Sequence, residues 1–168
     1  MEDQYNLEYD NDKGLYLFKT DNDIGYSISF MEDGRLQDLL GLEEKLYSFS
    51  FQNINNTPHF SFDNKISNTI ICSLKEVFEK DCSFTFHYSC DNVDGKGFVR
   101  NRKFNIWYTK AHVENPLILK IDLQNTYEGT NYFSSLLIHE NHPNKDLVID
   151  SYKKGAEDFI EYKLNPTN

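Results

Sequence analysis

Apolar and polar residues follow one another along the first third of the chain in a pattern that predicts short strands. They alternate over residues 5–9 and 26–30, and a compact apolar run lies between them at 15–18. Turn-forming residues separate the three segments, so we predict an antiparallel meander. Alternation over residues 46–54 predicts a fourth strand, and a short helix is expected within 36–45, where Gly41 weakens the helical pattern.

The remaining two thirds of the chain alternate between helical and extended patterns. The predicted elements are a helix from the N-cap Asp63 to about Lys80, a strand over 83–90, a helix over 96–111, strands over 117–123 and 132–139 joined by a loop over 124–131, and a helix over 144–163. The order is β-β-β-β-α-β-α-β-β-α. We predict one α+β domain over 1–168 with a mixed, mostly antiparallel sheet, in which strands 46–54 and 83–90 are parallel neighbours because a helix connects them.

The length and composition favour a single globular domain. The chain has 168 residues, of which 39% are hydrophobic. This is enough for a hydrophobic core without disulfide or metal support. The acidic start of the chain and the absence of an apolar run of about 20 residues argue against a signal peptide and a membrane span. Three cysteines without CxxC spacing indicate reduced thiols, so we expect a cytoplasmic protein.

The charges are distributed unevenly. The whole chain has a net charge of -10, and residues 1–44 hold 12 acids but only 3 bases. This acidic N-terminal part of the meander 1–54 disfavours nucleic acid and anionic membranes as partners. Residues 95–113, in contrast, contain no acid. Their five bases are Lys96, Arg100, Arg102, Lys103 and Lys110. Two interpretations stay open: an ordinary solvated helix face, or an anion site at the start of a helix.

Arg100 is the base with the most specific environment. Helical spacing places it on one face with Phe104, Trp107 and Ala111, at the edge of the core. A half-buried guanidinium needs a partner, which is either a nearby aspartate or an external phosphate or carboxylate. The residues predicted to bind an anion or a partner are Asp91, Asp94, Lys96, Arg100, Arg102, Lys103 and Trp107.

The histidines and cysteines of the chain do not predict a metal site or a catalytic thiol. His139 and His142 flank Glu140, but no third ligand is near in sequence, so we expect a surface loop and no metal site. Thiol catalysis is not expected either, because Cys82 and Cys90 have no basic residue nearby.

The residues around the basic helix resemble a known family. Cys90 to Lys96, followed by Arg100, Arg102, Phe104 and Trp107, is similar to the signature of an uncharacterised bacterial family that is described only as a domain of unknown function. The resemblance extends over most of the chain. It implies no activity.

The element order is also similar to that of the GNAT N-acetyltransferase superfamily. Asn101, Tyr108 and Lys110 fit the spacing of a superfamily helix, and the resemblance implies that Tyr108 is the general acid that protonates the thiolate of coenzyme A. That superfamily has a Gln/Arg-x-x-Gly-x-Gly/Ala loop before its first long helix, whereas Lys65 and Ser67 stand at the glycine positions here. Asp63 adds a negative charge where the pyrophosphate is expected.

The residues therefore favour a non-catalytic protein-binding or regulatory module on a GNAT-like fold. We expect a protein partner and no cofactor. An acyl-CoA-dependent N-acyltransferase, which would bind acetyl-CoA, is the alternative. A third possibility is nucleic-acid or anion binding through the basic helix 96–110.

Overall fold

The structure is a computed structural model of the chain, and it describes residues 3–55, 63–90 and 92–155. Seven strands occur in chain order: β1 (Glu8–Asp10), β2 (Leu15–Lys19), β3 (Gly25–Glu32), β4 (Tyr47–Asn53), β5 (Thr85–Cys90), β6 (Ile118–Tyr127) and β7 (Thr130–His139). The helices are α1 (Gly34–Leu39), α2 (Asn64–Lys80), α3 (Gly97–Glu114) and α4 (Lys145–Lys154). The predicted α+β class is confirmed.

All seven strands form one sheet in the order β1-β2-β3-β4-β5-β7-β6. Every neighbouring pair is antiparallel except β4 and β5, which are parallel. The predicted parallel pairing of the strands on either side of the first long helix is therefore confirmed. A strand-helix-strand crossover requires this arrangement.

The sheet separates two hydrophobic clusters. On one face α2 and α3 pack, and residues such as Ile70, Phe86 and Trp107 are buried there. On the other face α1 and α4 pack, and Leu136 and Tyr152 are buried in that cluster. Successive residues of a strand point to opposite faces of the sheet. On β7, Leu137 therefore belongs to the α2/α3 cluster, whereas Leu136 and Ile138 belong to the α1/α4 cluster.

Local sequence signals fix the start of two helices. Asp63 is the N-cap of α2, and its side chain accepts a hydrogen bond from the Lys65 amide at 2.9 Å. Asp33 caps α1 in the same way, accepting from the Leu36 amide at 3.0 Å. Such caps satisfy amides that have no partner within the helix. α1 ends before Gly41, whose φ of 62° suits glycine.

The predicted loop over 124–131 is wrong, because both strands of the last hairpin run through it. β6 continues to Tyr127 and β7 begins at Thr130, with only Glu128 and Gly129 between them. These two residues have φ values of 47° and 76°. Positive φ at both central positions matches the twist of a tight two-residue hairpin, so turn geometry extends the ladder beyond the apolar pattern.

The first predicted strand is also shorter than expected. β1 begins at Glu8, so Tyr5 and Leu7 precede it. The Tyr5 amide instead donates to Thr69 Oγ1 at 2.9 Å, and its ring stacks on Phe18 with centroids 5.7 Å apart. These contacts hold the start of the chain against α2. Part of the predicted helix 144–163 lies outside the described residues, beyond 155.

Leu136 tests the importance of the α1/α4 cluster, because it is fully buried there. We expect Leu136→Ala to lower the free energy of unfolding by about 2–5 kcal/mol through lost burial and the cavity left behind. Leu147 on α4 is 58% exposed, so Leu147→Ala should change it by less than about 0.5 kcal/mol. Urea melts of the two variants measure both values, and equal losses would contradict this packing.

Candidate functional site

β4 and β5 are paired over a very short distance. Their parallel register contains only the pairs Tyr47 with Phe86 and Ser48 with His87. β4 nevertheless continues to Asn53 and β5 to Cys90, so the strands diverge. We call the space between their carboxyl-terminal halves the wedge, and on the α2/α3 face it is the most distinctive feature of the sheet.

Aromatic side chains line the wedge on this face. Phe104 and Trp107 of α3 contact the strands on either side of it, and the two rings lie 5.2 Å apart. Phe104 contacts Phe49 of β4 and Tyr88 of β5, at centroid distances of 6.4 and 5.0 Å. Trp107 meets Phe51 at 6.3 Å. One helix thus bridges two diverging strands through edge-to-face and tilted ring contacts. Beside these rings an apolar cavity remains between α2, α3 and the sheet.

Acidic side chains surround the helix start beside the wedge. The Asp63 carboxylate accepts from the Lys65 amide and from the Tyr5 hydroxyl, the latter at 2.7 Å. Lys65 Nζ lies 3.2 Å from Asp21 and 3.5 Å from Asp3, and the hydrogen bond to Asp21 raises the pKa of this lysine. The amides at the start of α2 therefore already face a carboxylate of the chain itself, and Lys65 is shared between Asp3 and Asp21.

The predicted partner of Arg100 is present. Arg100 donates to both oxygens of Asp94, with distances of 2.6 and 2.8 Å. This guanidinium holds the pKa of the Asp94 carboxyl well below its usual range. Asp94 also accepts from the Lys96 amide at 3.1 Å, which ties the loop to the helix start. The other predicted partner, Asp91, lies outside the described residues.

Both members of this ion pair remain partly in water. The side chains of Arg100 and Asp94 are 39% and 44% exposed. The bidentate geometry orients the guanidinium, but solvent screens the attraction, so the contribution to stability is small. The positive charge of Arg100 is balanced within the chain.

The other predicted bases lie in different surroundings. Lys103 Nζ lies 4.9 Å from the centre of the Trp107 ring, and burial lowers the pKa of this lysine while the charge of Asp63 opposes that lowering. Lys110 donates to Asn68 of α2 at 2.8 Å. Lys96 and Arg102 are exposed. The structure thus brings Asp94, Lys96 and Arg100 together, with Lys103 and Trp107 as a second pair.

Tyr108, the residue that the superfamily resemblance makes a general acid, faces β6. Its hydroxyl donates to the Ile118 carbonyl at 3.0 Å and lies 3.2 Å from His112 Nδ1. Burial raises the pKa of this hydroxyl. A hydroxyl that donates to a backbone carbonyl and has a raised pKa is held in its protonated form by the fold itself.

A buried polar network that the sequence analysis did not identify lies beneath α3. The Lys120 side chain is only 2% exposed, and it donates to Asn105 Oδ1 at 2.5 Å and to Asp122. Asp122 also accepts from the Ser135 hydroxyl at 2.6 Å. This network attaches α3 to the last hairpin. Its sequence signal is the alternation that places Lys120 and Asp122 on one face of β6.

The surface of α3 that points away from the sheet is apolar as well as basic. We define the outer face of α3 by five residues at helical spacing: Phe98, Arg102, Ile106, Thr109 and Val113. Phe98, Ile106 and Val113 are 61%, 56% and 82% exposed. With Phe104 and Trp107 on the opposite side, α3 carries apolar residues all round.

The chain turns at the surface after β7, as expected, with Glu140 and Asn141 exposed, but His142 itself is buried. His142 is 4% exposed, and its Nδ1 accepts from the Asn144 amide at 3.1 Å. Burial lowers the pKa of this histidine. In the part of the chain that the structure describes, no three histidine, cysteine or acidic side chains are grouped as metal ligands. Within the same residues, no helix is long and apolar enough to cross a bilayer.

The fold and the wedge define an α+β domain with a mixed seven-stranded sheet. Residues 62–154, which are more than half of the chain, match the Family of unknown function (DUF6169), and the chain belongs to this family. The match begins at α2, so it does not include the N-terminal meander that the resemblance was expected to cover. No curated protein and no solved structure matches the chain.

The Asp94 carboxyl provides a direct test of the loop geometry. Its pKa is lowered chiefly by the hydrogen bonds from Arg100. We expect Arg100→Gln to raise the pKa of Asp94 toward the ordinary aspartate value of about 3.9, as measured by carbon-detected NMR titration. Arg102→Gln is the control, because Arg102 belongs to the outer face of α3, and it should leave the titration unchanged. An Asp94 pKa that ignores both substitutions would contradict the ion pair.

Proposed function

We propose that this chain is a non-catalytic protein-binding module of GNAT-like architecture, and that the outer face of α3 binds an acidic, partly apolar segment of a protein partner. The observation that carries the proposal is the exposure of three large apolar side chains on this face: Phe98, Ile106 and Val113. Surface helices of globular proteins normally present polar residues to water. An apolar stripe on the solvent side marks a surface that another protein covers.

The charges around this face favour an acidic partner. Arg102 lies within the apolar stripe and Lys103 lies beside it, and no acid occurs from residue 95 to 113. In a chain with a net charge of -10, residues 95–113 hold no acid, so an acidic ligand meets attraction there and repulsion at the N-terminal meander. Nucleic acid is a poorer fit, because its polyanion would also meet that meander.

The wedge supports a non-catalytic role. The superfamily resemblance implies an acyl donor whose pyrophosphate meets free amides at the start of the first long helix. Here the rings of Phe104 and Trp107 hold α3 against both strands, and the Asp63 carboxylate already accepts from an amide at the helix start. Bringing a pyrophosphate next to Asp63 would place two anions together, where Lys65 is already shared between Asp3 and Asp21. The residues present therefore do not fit acetyl-CoA.

An acyltransferase is the second candidate, and one observation favours it. The parallel β4–β5 pair flanked by antiparallel strands is the arrangement that the superfamily resemblance implies, and Tyr108 lies on the helix that would carry its general acid. The hydrogen bond of Tyr108 to Ile118 must break before this hydroxyl could approach a substrate. We rank this function second for that reason.

Thermal unfolding with acetyl-CoA separates the two candidates. A site filled at 100 times its dissociation constant would stabilise the protein by about 2.7 kcal/mol, which raises the melting temperature by roughly 5–10 °C. We expect no shift with millimolar acetyl-CoA. A clear increase would support the acyltransferase, and Tyr108→Phe should then reduce turnover without removing the shift.

Site-specific photocrosslinking in the native cell tests the partner surface. We expect benzoylphenylalanine at Ile106 to form crosslinks with another protein, because this position lies at the middle of the outer face of α3. The control position is Met31, which is 65% exposed but lies on β3 in the acidic meander. Equal crosslinking at both positions, or crosslinks at Ile106 only to a second copy of this chain, would contradict the proposal.

Reversing a charge on the outer face of α3 tests whether the partner is acidic. Arg102→Glu should reduce the Ile106 crosslink about tenfold, since a like charge against an acidic partner costs more than about 1.4 kcal/mol. Lys19→Glu is the matched control, because Lys19 is 70% exposed on β2, far from α3 in the sheet. A crosslink that survives Arg102→Glu unchanged would remove the charge argument.

A further inference from the structure

β6 lies at one edge of the sheet and has an unpaired side in the part of the chain that the structure describes. It is the last strand in the sheet order and pairs only with β7 there. At ten residues it is also one of the two longest strands. Edge strands are usually short, or interrupted by proline or a bulge, because their free amides and carbonyls attract other strands. No proline or glycine occurs within β6.

The hydrophobic cluster of the α1/α4 face is incomplete at this edge. Leu119, Ile121 and Leu123 point to that face and pack against the cluster, but each remains only partly buried. In the centre of the sheet the same cluster is closed, with Leu136 and Ile138 fully buried. A strand added beside β6 would cover the three aliphatic side chains.

We propose that the free edge of β6 is where two copies of this chain pair, antiparallel and with Ile121 opposite Ile121 of the second copy. A twofold axis perpendicular to the sheet relates the two strands, and residues opposite each other then lie on the same face. Leu119 meets Leu123 of the second copy on the α1/α4 face. On the other face the buried Lys120, which keeps its hydrogen bonds to Asn105 and Asp122 of its own chain, lies opposite Asp122 of the second copy.

The charges select this register over its neighbours. A shift of the twofold axis by one residue toward either end places Lys120 opposite Lys120 or Asp122 opposite Asp122, and like charges directly opposite destabilise a strand pair. Only registers that centre on a residue keep apolar side chains on the apolar face. Centring on Ile121 alternates the four charges and pairs the aliphatic residues, so the strand is complementary to itself over residues 119–123.

In this dimer the outer faces of the two α3 helices would lie on the same side of the sheet. The axis is perpendicular to the sheet, so each copy presents α3 on the same face of a continuous fourteen-stranded sheet. The inference does not depend on the proposed function, because β6 and the outer face of α3 share no residue.

Cysteine crosslinking of the full chain tests the register. Leu119→Cys and Leu123→Cys should each form little disulfide alone, and an equimolar mixture of the two should form an intermolecular disulfide rapidly. Ile121→Cys should crosslink to itself. The wild type, which has Cys72, Cys82 and Cys90, is the control for background oxidation. No crosslink in the mixture, or equal crosslinking of either variant alone, would overturn the proposed register.

Sedimentation velocity tests the interface itself. The contact is small, so the wild-type protein should be measured over roughly 1–500 µM, where we expect a monomer–dimer equilibrium. Ile121→Lys, which sets two ammonium groups opposite each other, should raise the dissociation constant at least about tenfold. Leu147→Lys, at an exposed apolar position on α4, should leave it unchanged. A wild type that stays monomeric throughout overturns the proposal.

Hydrogen exchange of the wild type covers the case in which Ile121→Lys does not fold. The outward-facing amides of residues 118–124 should exchange more slowly as the protein concentration rises, while those of β1 at the opposite edge should not change. Protection that is already complete in the dilute monomer would mean that the chain covers this edge itself, and would overturn the proposal.

Discussion

The short parallel contact between β4 and β5 is the constraint on which the rest of the structure depends. The β4–β5 register contains only two residue pairs, so another element must connect the two strands where they diverge. α3 does this with Phe104 and Trp107, which contact β4 and β5 at once. The helix is therefore fixed by rings on one side, and the buried Lys120 network attaches it to β6. Its remaining side is free to carry another role.

Because one side of α3 packs on the sheet and the other faces solvent, its apolar residues need two separate explanations. A helix that only covered the sheet would place polar residues at the exposed positions of Phe98, Ile106 and Val113. The exposed parts of these residues cost solubility, and Phe98 also packs against Phe133 of β7, with ring centroids 6.0 Å apart. The net acidity of the chain compensates for the loss of solubility. The same acidity restricts which partners can approach this helix.

The sequence predicted the α+β class from the periodicity of its apolar residues, and the parallel pair because a helix connects the two strands. The sequence did not predict the features that depend on backbone geometry or on contacts between distant residues. The hairpin turn at Glu128 and Gly129 extends two strands through a polar stretch, and no apolar pattern marks it. The Arg100–Asp94 pair was within reach because six residues separate its members. The Lys120 network was not, because Asn105 and Ser135 approach it only in the folded chain.

The energy of the wedge decides how far this fold is from an open acyl-donor site. Admitting a ligand would separate α3 from three rings on the strands: Phe49, Phe51 and Tyr88. Each aromatic contact contributes about 0.5–1.5 kcal/mol beyond its buried area, so three contribute roughly 1.5–4.5 kcal/mol. A ligand that had to break them would bind between about tenfold and about a thousandfold more weakly than in an open site. The carboxylate of Asp63 adds to this cost for an anionic ligand, so packing and charge at the wedge act in the same direction.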